Sequence, residues 1–261
     1  MQKLSIKISI KEKQMELKGR QAIITGSSGQ LGSAIAIALG KAGCNCICHY
    51  NRNKQKAEDT AEQIKKAGVK AMAIQADITN PEQAEKLFEQ AGRLGTIQIL
   101  INSAAVFSRQ AISEITFEQG QKIINTNLIA PILLSRMFAA KLSGKSGKQQ
   151  EPTGKIINIA DVCGLHPWAN YALYCSSKAG LIGATKALAK ELAPGICVNA
   201  VAPGIVNWPE DFDEAKKQRQ LSQIPLNRIA KPDEITKAVI SLLENDYITG
   251  QVLCIDGGRG I

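Results

Sequence analysis

Tyr174 and Lys178 stand four residues apart in Tyr174-Cys175-Ser176-Ser177-Lys178, where a segment with helical periodicity begins, so both side chains fall on one helix face. A free phenol, with a pKa of about 10, is a poor acid or base at neutral pH, and a neighbouring ammonium favours the phenolate and lowers that value. The pair is a candidate for proton transfer, although Tyr-x-x-x-Lys also arises by chance on helix surfaces. Asp161, in Ile159-Ala160-Asp161-Val162, lies thirteen residues before Tyr174. Its carboxylate can accept from the N–H groups of a ligand or can simply shape a turn.

A second group of residues has the chemistry of a phosphate cradle. The apolar run QAIIT leads into Thr25-Gly26-Ser27-Ser28-Gly29-Gln30-Leu31-Gly32 and then the apolar stretch SAIAIALGKAG. Glycines in a strand-to-helix turn let the backbone approach a ligand, and the helix N-terminus offers N–H groups and a positive dipole end to phosphate. The next strand ends at His49-Tyr50-Asn51-Arg52-Asn53. A free ribose 2′-hydroxyl is met by an acidic acceptor at this point, whereas a 2′-phosphate is met by arginine and neutral donors. Arg52 without Asp or Glu therefore points to NADP(H); the alternative is a solvated surface charge. Asp77, in Gln75-Ala76-Asp77-Ile78, is placed to accept from an adenine amino group or to begin a helix.

These residues need a scaffold, and from Arg20 short β-branched runs alternate with longer amphipathic stretches. Strands are predicted at 21–25, 45–50, 70–75, 97–102, 155–160, 196–201 and 251–255. Helices are predicted at about 30–42, 54–67, 81–92, 117–141, 172–192, 212–221 and 232–243. The pattern is that of an α/β protein: a single doubly wound Rossmann-type domain with a seven-stranded parallel sheet flanked by helices. Residues 143–154, SGKSGKQQEPTG, read as a loop, and residues 1–18 as an N-terminal extension ahead of a domain at 19–261. In that extension Leu4, Ile6, Ile8 and Ile10 alternate as in an edge strand or hairpin, or the segment is a Lys-rich flexible arm.

Composition narrows the function classes. The chain has 261 residues and a formal net charge of +9, which invites a polyanionic partner. Aromatic residues make up only 4% and no nucleic-acid motif organises the basic residues, so no nucleic-acid partner is expected. The seven cysteines are odd in number and form no C-x-x-C pair. Cys44, Cys46 and Cys48 alternate in an apolar run, as reduced thiols on one strand face would, which points to a reducing cytoplasm. No apolar stretch approaches the length of a membrane span, and no secretory signal is recognised, so no membrane association is expected.

Thr25-Gly26 with Gly32, Asn102-Ser103-Ala104-Ala105, Asn127, Tyr174 with Lys178, Pro203-Gly204, and Thr249-Gly250 with Asp256-Gly257-Gly258 occur in this order. Over about residues 17–259 the chain resembles the short-chain dehydrogenase/reductase family. That resemblance implies an NADP(H)-dependent oxidoreductase. The implied cofactor contacts are Gly26, Ser28, Gln30, Leu31, His49, Tyr50, Asn51, Arg52, Asp77, Ile78, Asn102, Ser103, Ala104, Tyr174, Lys178, Pro203, Gly204 and Ile205. Tyr174 and Lys178 would supply the proton, and Asn127 would fix the helix geometry and a water that links Lys178 to solvent. A homotetramer built through 117–141 and 172–192 is also implied, as is a substrate-covering segment at about 205–222.

A finer resemblance is to the pteridine reductases. Most of the family has a serine at the position of Asp161, whereas Asp161, Tyr171 three residues before Tyr174, HYNRN, Phe107, the 143–154 loop and the ending YITGQVLCIDGG are similar to that subgroup. It implies reduction of a pterin or dihydrofolate-like C=N bond, with Asp161 orienting the ring and Phe107, Tyr171, Tyr174 and Trp208 around it. Phe107 offers a flat face, and Trp208 either lines the pocket or anchors its loop. Gln30 stands where those enzymes usually carry arginine, and Ser103 where the family commonly has a second Asn. The alternatives are a 3-oxoacyl-thioester or other carbonyl reductase, and a non-catalytic NADP-sensing or nucleic-acid-binding protein.

Overall fold

A computed structural model describes residues 16–143, 153–208 and 212–261. The predicted extended runs form seven strands: β1 (Gln21–Ile24), β2 (Asn45–Tyr50), β3 (Ala71–Gln75), β4 (Ile97–Asn102), β5 (Gly154–Ile159), β6 (Ile196–Pro203) and β7 (Val252–Ile255). All pair in parallel in the order β3-β2-β1-β4-β5-β6-β7. Chain order reverses between β1 and β4, and in such sheets ligands bind in the crevice at the carboxyl ends of the strands beside that reversal. The Gly26 turn and the residues after β4 both lie there.

Period two divides the strands between two apolar layers. Ala22, Ile24, Cys46, Cys48, Ile99 and Ile101 face α1 (Gln30–Lys41), α2 (Lys54–Lys65) and α8 (Pro232–Glu244). Ile23, Ile47, Leu100, Ile156 and Val198 face α3 (Pro81–Gly92), α5 (Ala130–Ser143) and α6 (Ala172–Leu192). Cys44, Cys46 and Cys48 share the first layer as free, buried thiols.

Two expectations need correction. The helix predicted at 117–141 is α4 (Phe117–Ile124), a π-helical turn (Asn125–Ile129) and α5. Pro131 has no N–H to offer the carbonyl of Asn127 four residues earlier, so the regular ladder cannot pass this point. This run, Phe117–Leu142, is also long and apolar enough to cross a membrane by length and composition, contrary to the sequence reading. Its Ile123, Ala130, Leu134, Phe138 and Leu142 are buried, and from Ala130 onward they belong to the second apolar layer, which makes it a core helix of this domain. The proposed strand or hairpin at residues 4–10 lies outside the described residues, as does most of the 143–154 loop. Leu17 is buried in the first layer, so the core begins just before residue 19.

Candidate active site

β1 is followed by Thr25, whose hydroxyl donates to the Ile101 carbonyl and accepts from the N–H groups of Ser103 (2.9 Å) and Ala104 (3.0 Å). One side chain thereby locks the ends of β1 and β4 together. Gly26 follows at φ +71, where a Cβ would be strained and would meet Ala104 Cα at 2.8 Å; a Cβ on Gly32 would run into the Gly26 carbonyl. Gly29 begins α1 without a side-chain cap, which leaves the first-turn N–H groups for another acceptor.

α6 brings Tyr174 and Lys178 to the same cavity. A buried chain ties this helix to the sheet: Asn102 Nδ2 donates to Asn158 Oδ1 (2.8 Å) and Asn158 Nδ2 to Thr185 Oγ1 (2.9 Å). Asn127, in the π-helical turn, donates to Val106 O and Ser177 Oγ and accepts from Val106 N–H, bracing the helix one residue from Lys178. Lys178 Nζ donates to the Ile159 carbonyl at 2.8 Å and lies 5.7 Å from the centre of the Tyr174 ring. Asp161 Oδ1 accepts from Cys163 N–H, while Oδ2 accepts from the Tyr174 hydroxyl at 3.0 Å.

Electrostatics overturn one expectation. Burial first, and the Asp161 carboxylate second, push the Tyr174 phenol well above its ordinary value, whereas the sequence reading has Lys178 lowering it. Burial also lowers the Lys178 ammonium against the pull of Asp161, and raises the Asp161 carboxyl against its hydrogen bond from Cys163 and the charge of Lys178. The phenol is thus held protonated, with its hydrogen bond directed at a carboxylate.

A cavity of about 1350 Å³ runs from Gly26, Gln30 and Leu31, past Ser103 and Ile159–Asp161, to Tyr174, Lys178, Pro203, Gly204 and Ile205. At its other end Phe107 stacks on Tyr171 (5.3 Å between ring centres, 29°) and meets Tyr174 edge-on (4.9 Å, 88°). Trp208 lines the cavity too, stacked on Phe212 at 6.1 Å.

Residues 20–220 match the family described as short chain dehydrogenase. The chain is 32% identical over 245 residues to the 3-oxoacyl-(acyl-carrier-protein) reductase FabG of Staphylococcus aureus, covering 92% of this chain and 97% of that protein. It is 33% identical over 251 residues to 3beta-hydroxysteroid dehydrogenase 1 of Eggerthella lenta, covering 93% and 94%. A solved structure, described as a short-chain alcohol dehydrogenase from Sinorhizobium meliloti, superposes with a TM-score of 0.86 at 29% identity over 94% of this chain and 97% of that one. The chain belongs to the short-chain dehydrogenase/reductase family.

As a member of that family it is an oxidoreductase that uses NADP(H), which when bound supplies or accepts a hydride. The residues fit a dinucleotide: the glycine turn is a cradle that Cβ atoms would fill, α1 is uncapped by any side chain, and the cavity is continuous from both to Tyr174. Gly26, Gln30, Leu31, Ser103, Tyr174, Lys178, Pro203, Gly204 and Ile205 line it.

Other sequence candidates lie elsewhere. His49 is buried, its Nδ1 accepting from Gly26 N–H at 3.2 Å and its Nε2 facing Ala76 O at 2.9 Å, so the ring props the turn from behind and stands outside the cavity lining. Asn102 and Asn127 likewise turn their amides into the protein and act as positioning residues. One oxygen of Asp77 holds the Thr79 N–H and hydroxyl, and Ile78 packs in the second layer, the turn reading of that segment. Ala104 is fixed by Thr25, and Ser28, Tyr50, Asn51 and Arg52 stand outside the cavity lining. Asn51 and Arg52 are exposed directly after β2, whose His49 carbonyl receives the Ser27 N–H, so they stand beside the turn. Sequence reasoning missed Trp168, Arg109, Lys216, Arg219 and Arg259, which all line the cavity. Lys216 and Arg219 fall within the 205–222 segment expected to cover the substrate, and Arg259 adjoins Asp256-Gly257-Gly258, so for these three the chain carries a nearby signal.

Proposed function

We propose that this reductase acts on a C=N bond of a flat, nitrogen-rich ring of the pterin or dihydrofolate class. The observation that carries the reading is the half-buried carboxylate of Asp161, hydrogen-bonded to Tyr174 at the cavity wall, where most of the family has serine. Beside a ketone this carboxylate would oppose developing oxyanion charge, whereas amino and ring N–H groups of a pterin are donors that it accepts. The pair Phe107 and Tyr171 supports the same reading as an aromatic wall next to Tyr174. The raised Tyr174 phenol is a proton donor to the substrate, Asp161 orients the ring and relays a proton, and Lys178 holds positive charge behind the phenol. Arg52 receives the cofactor 2′-phosphate, with Asn51 beside it.

The second reading, reduction of a 3-oxoacyl thioester or another carbonyl, is favoured by a different observation. The relatives named above are a 3-oxoacyl-(acyl-carrier-protein) reductase and a hydroxysteroid dehydrogenase, and neither is described as acting on a pterin. Overall similarity therefore backs the carbonyl reading better, and the pterin reading stands on the site alone. The non-catalytic alternative falls with family membership and an assembled Tyr174–Lys178 pair.

We include in the proposal one domain at 19–261 with 205–222 as substrate cover, a cytoplasmic location and a homotetramer through α4, α5 and α6. Exposed Phe117 on α4 and Ile129 in the π-helical turn that follows it support the assembly. The test is a panel of dihydrobiopterin, dihydrofolate and acetoacetyl-CoA, each with NADPH and NADH, on wild type and Asp161→Ala. Turnover of a pterin that Asp161→Ala abolishes without loss of NADPH binding supports the reading. Turnover of acetoacetyl-CoA alone replaces it with the carbonyl one.

A further inference from the structure

Arg259 is held in an unusual way for an arginine near the chain end. Its guanidinium carbon lies 5.0 Å from the centre of the Trp168 ring. Nη2 donates to Gln220 Oε1, in α7 (Glu214–Leu221), and lies 3.4 Å from Gln223 Oε1. These partners are neutral amides, and among the described residues the buried Nη1 has no hydrogen-bond partner. A desolvated guanidinium donor without an acceptor costs free energy that an arriving anion would return. Nη1 is out of solvent contact and Nη2 is held by Gln220, so the paired oxygens of a carboxylate or phosphate reach this guanidinium edge when the Gln220 and Gln223 side chains turn aside.

The surroundings match. A side pocket of about 330 Å³, bounded by Val162, His166, Pro167, Trp168, Gln223 and Arg259, adjoins the main cavity and shares Trp168, Gln223 and Arg259 with it. Arg109, Lys216 and Arg219 also line the main cavity, and Asp161 is the one acidic residue among its described lining residues. The site thus pairs an acceptor beside the reacting bond with a cationic flank, where the Asp161 and Asp256 carboxylates support the Arg259 charge against its burial.

We propose that Arg259, seated on Trp168, binds an anionic tail of the substrate, a carboxylate or phosphate remote from the reduced bond, which enters the side pocket. This names the far end of the substrate; it rests on the reading above only for which ring or chain carries the tail.

The test uses two matched pairs at saturating NADPH: dihydrofolate against dihydrobiopterin, and acetoacetyl-CoA against its N-acetylcysteamine analogue, which lacks phosphate. In each pair that is turned over, the kcat/KM ratio of charged to uncharged member is compared in wild type, Arg259→Met and Arg259→Lys. The Met variant is expected to lower that ratio at least about tenfold, and the Lys variant to restore part of it. An unchanged ratio, or an equal fall for both members, overturns the proposal. A ratio shift confined to the thioester pair, with no pterin turnover, supports the subsite as a phosphate site while the pterin reading fails. A shift confined to the pterin pair assigns it to a carboxylate. If neither pair is turned over, Trp168 fluorescence is titrated in a Trp208→Phe background with p-aminobenzoylglutamate and with pyrophosphate. Weaker quenching after Arg259→Met then supports the proposal, and equal quenching overturns it.

Discussion

Lys155, at the amino end of β5, and Lys178, whose Nζ meets the Ile159 carbonyl at the carboxyl end, are both buried. Lys155 Nζ lies 2.7 Å from an Asp246 carboxylate oxygen and donates to the Asn245 carbonyl at 2.7 Å. That carboxylate contact is an ion pair, and Asp246 Oδ1 takes no aligned hydrogen bond from the described residues. Lys178 donates to a neutral carbonyl, and burial lowers its pKa. One lysine carries its counter-ion at contact and pins the strand to the loop after α8. The other keeps an incompletely compensated charge beside Tyr174, which is costly for folding and useful for chemistry.

The largest effect should come from breaking the second arrangement. Lys178→Met should lower kcat by about 10²- to 10⁴-fold, the range for loss of a proton-transfer group, while the urea midpoint changes little. A variant that keeps more than a tenth of wild-type kcat would show that Lys178 is structural like Lys155. The converse change, Lys155→Met, leaves a carboxylate without its partner. We expect a loss of about 2 to 3 kcal/mol in urea unfolding, below the fully buried range because Asp246 reaches solvent, with kcat within about twofold of wild type.

pH separates the two ends further. A lowered folded-state pKa means that, between that value and 10.5, the unfolded chain binds more protons at Lys178 than the folded one, so stability rises with pH in that window. Lys178→Met should lack this rise. Asp161 has the opposite sign: its raised pKa makes stability fall as pH climbs from 3.8 through the folded value, and Asp161→Asn should lose that fall. Urea unfolding of the three proteins across pH checks both slopes; parallel curves would contradict them.

The scaffold was readable because its signals are local. Apolar β-branched runs mark all seven strands within two residues, and the alternation of Cys44, Cys46 and Cys48 gave one face correctly. The π-helical turn had a local signal as well, Pro131, which the helical period concealed. Side-chain direction at strand ends was harder. His49 was expected at the cofactor, yet period two places it on the same face as Ile47, toward the interior. Arg259 and Trp168 meet only because the chain end folds back over the cavity, a long-range contact that no spacing announces. The subgroup resemblance rests on Asp161 and a few neighbours, whereas whole-chain similarity leads to a 3-oxoacyl reductase and a hydroxysteroid dehydrogenase.

The smallest expected effect tests whether the two ends are independent. Four steps along β5 separate Lys155 from Ile159, about 13 Å, and the two lysines share no hydrogen-bond partner. Stability changes at such distances add to within about 0.5 kcal/mol. The double variant Lys155→Met, Lys178→Met should therefore show the sum of the two single changes in urea unfolding, within that margin. β5 is nevertheless one strand, with Asn158 between the lysines linking it to Asn102 and Thr185. If the loosened amino end let the strand shift, the Ile159 carbonyl would move with it, and the coupling would exceed 1 kcal/mol. Additivity would mean that the Asn102–Asn158–Thr185 chain isolates the catalytic end from strain at the other, which is the mechanical role its buried, mutually bonded amides suit it for.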